Sequence, residues 1–281
     1  MKKIKFFLVL LVFFLSGCTE FLGTYRAQFV TQQELSTNDV YYAVDVYPSE
    51  VYSGEKLKIR FRIIAEKDLE NVRIKIIDPC LFDVANREKT FKSLRKGMKK
   101  TVTFELKANE VHMSTNCRIK FGIEYDSFIK LIQDVAVLSS TEYRQREESG
   151  TLDEIEISSV KEPSSVEVEL TFSEVQPFKE NRKVHILIQY RNVGGGIVKE
   201  LSNVKITFPS NLEIESCSGY DRTGNYWWLS ESLKFYNGKT QKAVCTAKTK
   251  ANKPIDIGKI LIEGKYKYEF EDYITVKILK G

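Results

Sequence analysis

Cysteines are the residues of this chain whose types and spacing most clearly suggest chemistry. The sequence contains five cysteines and two histidines, His112 and His185. No Cys-x-x-Cys pair occurs, and structural zinc sites usually need such pairs or more histidines. Disulfide chemistry is therefore favoured over a metal site, and we expect no bound metal and no cofactor. The four cysteines concerned are Cys80, Cys117, Cys217 and Cys245.

The fifth cysteine, Cys18, ends an N-terminal segment with the character of an export signal. Three lysines precede the apolar run Phe6–Leu15, and the small residues Ser16 and Gly17 follow it. A membrane-spanning helix needs about 20 consecutive apolar residues. A run half as long, with a positive start and small residues at its end, is typical of a secretory signal peptide instead. We therefore predict a signal peptide over residues 1–17.

The end of this segment, Leu15-Ser16-Gly17-Cys18, resembles the lipobox of prokaryotic lipoproteins. In that family the signal is cleaved just before the cysteine, and the cysteine thiol carries lipid. The resemblance implies that Cys18 becomes the first mature residue and attaches the protein to a membrane. An uncleaved signal anchor or an ordinary secretory signal is the alternative. Each of these places the chain on the extracytoplasmic face, at the cell surface or in the periplasm.

Export also bears on the four remaining cysteines, because disulfides persist in oxidising compartments outside the cytoplasm. Four cysteines allow three pairings. The simplest pairing joins Cys80 to Cys117 and Cys217 to Cys245, one bridge in each half of the sequence. In the chain-entropy model each bridge contributes roughly 3.5–4 kcal/mol, less any strain.

Alternation of apolar and polar residues predicts strands along most of the mature chain. Leu57, Ile59, Phe61 and Ile63, for example, alternate with charged residues, as in a half-buried strand. Short strands at regular spacing, without a βαβ rhythm, indicate an all-β fold of antiparallel sandwiches. The last residues, from Ile257 to Phe270 and from Tyr273 to Ile278, predict a final hairpin.

The two halves of the chain repeat one pattern. Leu69-Glu70-Asn71-Val72-Arg73-Ile74 in the first half matches Leu201-Ser202-Asn203-Val204-Lys205-Ile206 in the second, and a proline and a long alternating strand precede each copy. We predict two tandem immunoglobulin-like sandwiches. Their expected ranges are a lipidated tether at 18–39, a first sandwich at 40–139, a polar linker at 140–164 and a second sandwich at 165–281.

The stretch Ile188–Gly196, IQYRNVGGG, followed by LSNVKITFP, resembles CARDB-like and related immunoglobulin-like domains of prokaryotic surface proteins. The resemblance covers roughly 165–280 and, more weakly, 40–139. It implies that Asn192 and the glycines lie at a strand end where the backbone needs positive φ. True immunoglobulin domains of antibodies have a buried tryptophan in strand C that packs on the disulfide. The first half has no tryptophan, and the two tryptophans of the second half are not in strand C, so this feature is absent.

The aromatic cluster near Cys217 is the strongest candidate for binding. Both tryptophans of the chain are adjacent, and in an extended segment successive side chains face opposite sides, so one ring is buried while the other can be exposed. Exposed aromatics on a loop held by a disulfide can stack on sugars or bind a protein partner. The alternative is that one ring fills the core and the other covers a loop or the domain junction. The candidate binding residues are Tyr220, Tyr226, Trp227 and Trp228.

Catalytic motifs do not stand out in this sequence. It contains no HExxH, GxSxG or calcium-loop motif, and Gly194–Gly196 lacks the Lys-Ser/Thr that a phosphate loop needs. Of 43 lysines and arginines three lie in the signal, and 38 acidic residues nearly balance the rest, so a nucleic-acid partner is not expected. We expect a non-catalytic, lipid-anchored surface protein that binds a protein or glycan partner or organises the envelope. A carbohydrate-binding module using Tyr226–Trp228 is the alternative, and an enzyme is less favoured.

Overall fold

The computed structural model describes residues 30–281, with side chains from Thr37 onward. The predicted signal peptide, Cys18 and most of the predicted tether lie outside the described residues. Strands make up 64% of the described residues and helices 5%, so the fold is all-β, as the sequence predicts. Most strand pairs are antiparallel.

Within residues 30–281, nine strands precede a helix and ten follow it. The first nine are β1 (Val30–Ser36), β2 (Val40–Tyr47), β3 (Glu50–Tyr52), β4 (Lys56–Ala65), β5 (Leu69–Asp78), β6 (Phe82–Val84), β7 (Glu88–Leu94), β8 (Lys99–Ala108) and β9 (Thr115–Leu138). Helix α1 (Ser140–Ser149) and a 3-10 turn (Leu152–Glu154) then occupy the predicted linker. The last ten strands are β10 (Ser159–Lys161), β11 (Val166–Phe172), β12 (Phe178–Lys179), β13 (Lys183–Asn192), β14 (Ile197–Thr207), β15 (Leu212–Cys217), β16 (Tyr220–Thr223), β17 (Tyr226–Leu229), β18 (Ala243–Thr249) and β19 (Ile255–Leu279).

The strands of the described part of the chain form three sheets. A five-stranded sheet has the order β1-β2-β4-β8-β6, and a four-stranded sheet has the order β11-β13-β18-β15. A ten-stranded sheet, with strands from both halves of the chain, has the central path β16-β17-β14-β19-β9-β5-β7, to which β3, β10 and β12 add short pieces. The five-stranded sheet packs on the first half of the large sheet and the four-stranded sheet packs on the second half.

The predicted repeat is visible in the backbone. Asn71 and Asn203 occupy matching places in their motifs, and both have φ of 50°. Next to each of them the pairing of the strand shifts register. Asparagine tolerates this left-handed conformation better than most residues with a Cβ. One strand unit with the same bulge has therefore been used twice, in β5 and in β14.

The two longest strands connect the halves. Strand β9 has 24 residues and pairs along its whole length with β19, which has 25, without a register shift. Strand β5 pairs with the beginning of β9, whereas β10 and β12 pair with its end. Likewise, β14 pairs with the beginning of β19, and β3 pairs with its end. Each long strand thus begins in its own sandwich and ends in the other.

This arrangement is a reciprocal exchange of final strands. In each half the motif isoleucine has a partner on a long strand, Ile74 opposite Ile123 and Ile206 opposite Ile262. These matching positions are related by an approximate two-fold axis that passes through the pair Ser127–Tyr266, where a separate sandwich would need a turn. The predicted final hairpin is wrong, because one continuous strand, β19, covers both of its arms. The sandwiches follow each other along the chain but are interlocked, and the shared sheet crosses the predicted boundary between 40–139 and 165–281.

A buried polar network lies at the middle of the β9–β19 pair, where each long strand passes from one sandwich to the other. The carboxylate of Asp39 is fully buried and accepts hydrogen bonds from the hydroxyls of Tyr125, at 3.0 Å, and Tyr266, at 2.6 Å. The backbone N–H of Ser165 donates to the same carboxylate at 3.3 Å. Burial, together with the negative charge of Asp39, raises the pKa of both phenols. The network therefore links residues that precede β2, lie in β9 and β19, and begin the second sandwich.

Both predicted disulfides are confirmed, Cys80–Cys117 and Cys217–Cys245. Each bridge stays within one half of the chain. Cys217 and Cys245 are opposite each other on β15 and β18 of the four-stranded sheet, whereas Cys117 lies on β9 of the large sheet. The two bridges thus occur in the same order along the sequence but in different places in the fold. Disulfides of this kind indicate an oxidising, extracytoplasmic environment.

The glycine run of the second half differs from what its family resemblance implies. Positive φ does not occur at Gly194, Gly195 or Gly196. Instead, a Cβ on Gly194 would lie 2.2 Å from the hydroxyl oxygen of Tyr268, and one on Gly196 would lie 2.4 Å from the carbonyl oxygen of Glu269. Close approach to β19, rather than backbone conformation, is the reason for glycine here.

Candidate functional site

The ten-stranded sheet has one face in the core and one face open to solvent. Along β9, Cys117, Ile119 and Phe121 are buried, while Arg118 and Lys120 between them are exposed. Side chains keep alternating between the two faces along β9 and β19, because their pairing has no bulge, although 134–138 at the end of β9 are buried on both faces. Both smaller sheets cover the buried face. The opposite side of the large sheet, which carries the charged residues, is called the open face below.

Ion pairs cover the first half of the open face. Glu269 is almost fully buried among charged neighbours and pairs with the ammonium groups of Lys75 and Lys199. Burial acts to raise the pKa of Glu269, but the hydrogen bonds from the two lysines outweigh it and hold that pKa below its usual value. Lys267 pairs with Glu124 at 2.7 Å in the same region. Opposite charges therefore compensate one another on this part of the sheet.

The aromatic cluster lies at one edge of the second half, in the hairpin formed by β16 and β17. Gly224, at φ of 61°, lies in the tight turn between them. Tyr226 and Trp228 project to the open face and are 42% and 38% exposed. Trp227 projects to the core, as the alternation predicts. The cluster is thus part of the sheet, and not a separate loop.

Tyr220 also lies in the core. It is 5% exposed, and its hydroxyl is 2.7 Å from the hydroxyl of Tyr190 on the four-stranded sheet. Burial raises the pKa of Tyr220 to about 12. Of the four aromatic candidates, the structure therefore brings Tyr226 and Trp228 to an accessible surface and uses Tyr220 and Trp227 for packing.

A groove of about 430 Å³ runs across the open face from Trp228 towards the middle of the sheet. Trp228 pairs with Lys205, Lys205 with Glu263 and Glu263 with Lys130, so these four side chains form one row across four strands. Phe128, 37% exposed, and Lys265 are directly opposite each other beside this row. We call these six residues the groove: Phe128, Lys130, Lys205, Trp228, Glu263 and Lys265.

Each aromatic ring of the groove has a lysine ammonium nearby. The Lys205 nitrogen lies 6.0 Å from the centre of the Trp228 ring and 4.7 Å from that of Tyr226. The Lys265 nitrogen lies 5.7 Å from the centre of the Phe128 ring. Such cation–π contacts fix the orientation of the rings and contribute about 0.5–1 kcal/mol each at exposed sites.

The lysines of the groove are in turn paired with carboxylates. Glu263 lies 3.5 Å from Lys205 and 3.8 Å from Lys130. Lys265 lies 2.8 Å from Glu70 and 3.2 Å from Asp126. Rings, ammonium groups and carboxylates thus form one ordered surface in which the charges are balanced.

A largely apolar row lies next to the groove, offset from the groove row by two residues on β9, β14, β17 and β19. Val160 pairs with Ile132, Ile132 with Leu261, Leu261 with Thr207, and Thr207 with Tyr226. Residues opposite each other in a sheet have their side chains on the same side. The second half of the open face is therefore more apolar than the first, and Tyr226 and Trp228 lie near its edge.

Within residues 30–281, no cluster of three or more histidine, cysteine, aspartate or glutamate side chains could hold a metal ion. His185 is close to the hydroxyl of Thr246, at 3.3 Å, on an exposed part of the four-stranded sheet. None of the helices in this same range is long and apolar enough to cross a membrane.

Comparison with known proteins gives no family. No protein-family model matches the chain, and no curated protein matches it. Among solved structures, it is similar to the secreted serine protease VesC from Vibrio cholerae, with 11% identity over 80% of this chain and 48% of that one, and a TM-score of 0.20. It is also similar to the C-terminal globular domain of an oligosaccharyltransferase from Pyrococcus abyssi, with 12% identity over 91% of this chain and 53% of that one, and a TM-score of 0.22. The chain spans about half the length of these structures, and neither likeness informs its function.

Sequence reasoning found the aromatic edge of the groove but missed the rest. Phe128 falls where the apolar pattern of β9 breaks, and Lys130, Lys205 and Lys265 look like ordinary solvent-facing lysines. Their neighbourhood depends on the pairing of β9, β14 and β19, which are far apart in sequence. The one available signal was the repeated motif: its second copy, at 201–206, contains Lys205 beside the bulge at Asn203.

Proposed function

We propose that this protein is a non-catalytic, lipid-anchored binding protein of the extracytoplasmic surface, and that its partner binds at the groove. The observation that carries the proposal is the presentation of Trp228 and Phe128 in the groove, with Tyr226 beside it, on a rigid sheet, partly exposed and oriented by lysines. Exposed aromatic residues of this kind are enriched at binding sites, where each contributes a large contact area at low entropic cost.

The rigidity of the frame supports this role. The groove lies on four neighbouring strands of one sheet, β17, β14, β19 and β9, and the exchanged strands β9 and β19 form its centre. A site on paired strands loses less conformational entropy on binding than a site on a loop. The arrangement thus favours stable binding or a structural role in adhesion, envelope organisation or a surface complex.

Membrane attachment is the second part of the proposal. It rests on the resemblance of Leu15-Ser16-Gly17-Cys18 to a lipobox, and the two disulfides are consistent with export. A single acyl chain holds a protein on a membrane only weakly, so stable attachment requires more than one chain at or near Cys18. We expect detergent partitioning of the wild-type protein, and release or lack of processing for Cys18→Ser. An intact Lys2–Gly17 segment or a free thiol on Cys18 in mass spectrometry would contradict this part.

Binding is tested with the full chain, purified in detergent, and envelope fractions of the source organism. We expect saturable binding that falls at least tenfold in Trp228→Ala. Tyr236→Ala is the matched control, because Tyr236 is 71% exposed but lies outside the groove. Equal binding by Trp228→Ala and the wild type would remove the groove from the proposal.

A further inference from the structure

We infer that the groove binds a neutral oligosaccharide; this inference rests on the proposed function and names the chemical class of the partner. Three observations carry it: the two aromatic walls, the ion pairs of the charged side chains, and the strand pairing of β14 and β19 beneath the groove. The first suits sugar rings, the second disfavours charged polymers, and the third disfavours an extended peptide.

The aromatic walls suit the flat, apolar faces of sugar rings. Trp228 and Phe128 are exposed by similar fractions, 38% and 37%, and they border the same groove from the edge and the centre of the sheet. The C–H groups on one side of a pyranose ring pack against an aromatic ring, while its hydroxyls point outward. A volume of about 430 Å³ falls in the size range of small-ligand sites.

The charges of the groove favour a neutral ligand. Lys205 and Lys130 share Glu263, and Lys265 is held by Glu70 and Asp126. Glu162, which also lines the cavity, lies 4.0 Å from the ammonium group of Lys67. An acidic or basic polymer would have to break these pairs and leave one partner uncompensated. A hydroxyl group can accept a hydrogen bond from an ammonium group and donate one to a carboxylate at once. Adjacent ammonium and carboxylate groups are therefore complementary to the neighbouring hydroxyls of a neutral sugar.

The backbone beneath the groove disfavours an extended peptide. Peptides that bind sheets usually add a strand at a free edge and gain main-chain hydrogen bonds. Here β14 lies between β17 and β19, with a register shift between Ser202 and Lys205, and β19 lies between β14 and β9, so neither strand is an edge of the sheet. A peptide in the groove would leave its own backbone groups without such partners, whereas a glycan has none to satisfy.

An array of neutral and acidic oligosaccharides, probed with the full chain in detergent, tests the inference. We expect the wild type to bind neutral glycans, and Trp228→Ala and Phe128→Ala to lose at least tenfold in affinity. Tyr236→Ala should bind as the wild type does. The affinity should change less than twofold between roughly 0.05 M and 0.5 M salt, because a neutral ligand is little affected by screening. Thermal melts show whether each variant is folded, and Trp228→Phe, which keeps a ring, should retain most of the binding.

Other outcomes overturn the inference in distinguishable ways. Binding to acidic glycans alone, lost at high salt, would contradict the charge argument. Absence of glycan binding, together with envelope binding that depends on Trp228 and is removed by protease treatment of the envelope, would identify a protein partner and leave the proposed function intact. If neither glycan binding nor envelope binding depends on Trp228, the inference is wrong and the groove is not the binding site.

Discussion

The hydroxyl of Tyr266 donates a hydrogen bond of 2.6 Å to the fully buried carboxylate of Asp39, at the middle of the paired strands β9 and β19. Tyr266 belongs to β19, which starts in the second sandwich, and Asp39 directly precedes β2 of the first sandwich. This contact therefore joins the two sandwiches through their common core, at the approximate two-fold axis of the exchanged strands.

Removal of that hydroxyl should destabilise the protein measurably. We expect Tyr266→Phe to lower the free energy of unfolding by about 1.5–3 kcal/mol, the usual cost of losing a hydrogen bond to a charged group. Tyr190→Phe is the matched control, since it removes a hydroxyl bonded to another phenol, at about 0.5–1.5 kcal/mol. Denaturant melts compare the two. Equal losses would mean that the hydrogen bond to Asp39 contributes no more to the free energy of unfolding than the bond between the two phenols.

Alkaline pH should destabilise the fold through its buried phenols. Burial raises the pKa of Tyr125, Tyr190 and Tyr266 above the ordinary value of about 10. Below pH 10 these groups are neutral in both states, so their stabilising effect is fully present. Above it the unfolded chain loses protons that the folded chain keeps, and each phenol lowers stability by about 1.4 kcal/mol per pH unit.

The alkaline prediction is checked by the slope of the unfolding free energy against pH above 10. Tyr190→Phe removes one buried phenol and should make that slope shallower by about 1.4 kcal/mol per pH unit. An unchanged slope in this variant would show that Tyr190 ionises in the folded protein.

The adjacent tryptophans should differ in stability and not only in binding. Trp227 packs in the core, and its replacement by alanine should cost roughly 3–5 kcal/mol. Trp228→Ala should cost less than half as much, because its ring lies on the open face. Thermal melts of both variants measure the difference. Equal and large losses would place both rings in the core and remove Trp228 as a contact residue.

Local patterns predicted much of this fold. Alternation identified most strands, since a half-buried strand leaves a period of two, and the order of the cysteines predicted both disulfides. The repeated motif predicted two related units, and both motif asparagines have the same unusual backbone. These features depend on neighbours in sequence or on simple pairing within one half.

The strand exchange could not be predicted in this way. The apolar pattern of β9 breaks at Asp126, Ser127 and Phe128, which on local grounds favours a turn. The strand continues because Ser127 is buried opposite Tyr266, while Phe128 lies opposite Lys265 on the other face. The absence of glycine and proline at this point was the available signal against a turn. The groove depends on the same long-range pairing, so its central residues could not be recognised either.

Cleavage of the full chain between Gly150 and Thr151, at an inserted protease site, tests most directly whether the two sandwiches are interlocked. Gly150 is exposed at the end of α1, and each disulfide lies within one fragment, so no covalent bond would join the products. We predict that the cleaved protein elutes in native size-exclusion chromatography as one species of unchanged size, and separates only in denaturant, because β9 and β19 each complete the other fragment's sandwich. Separation of two folded fragments under native conditions would contradict the exchange.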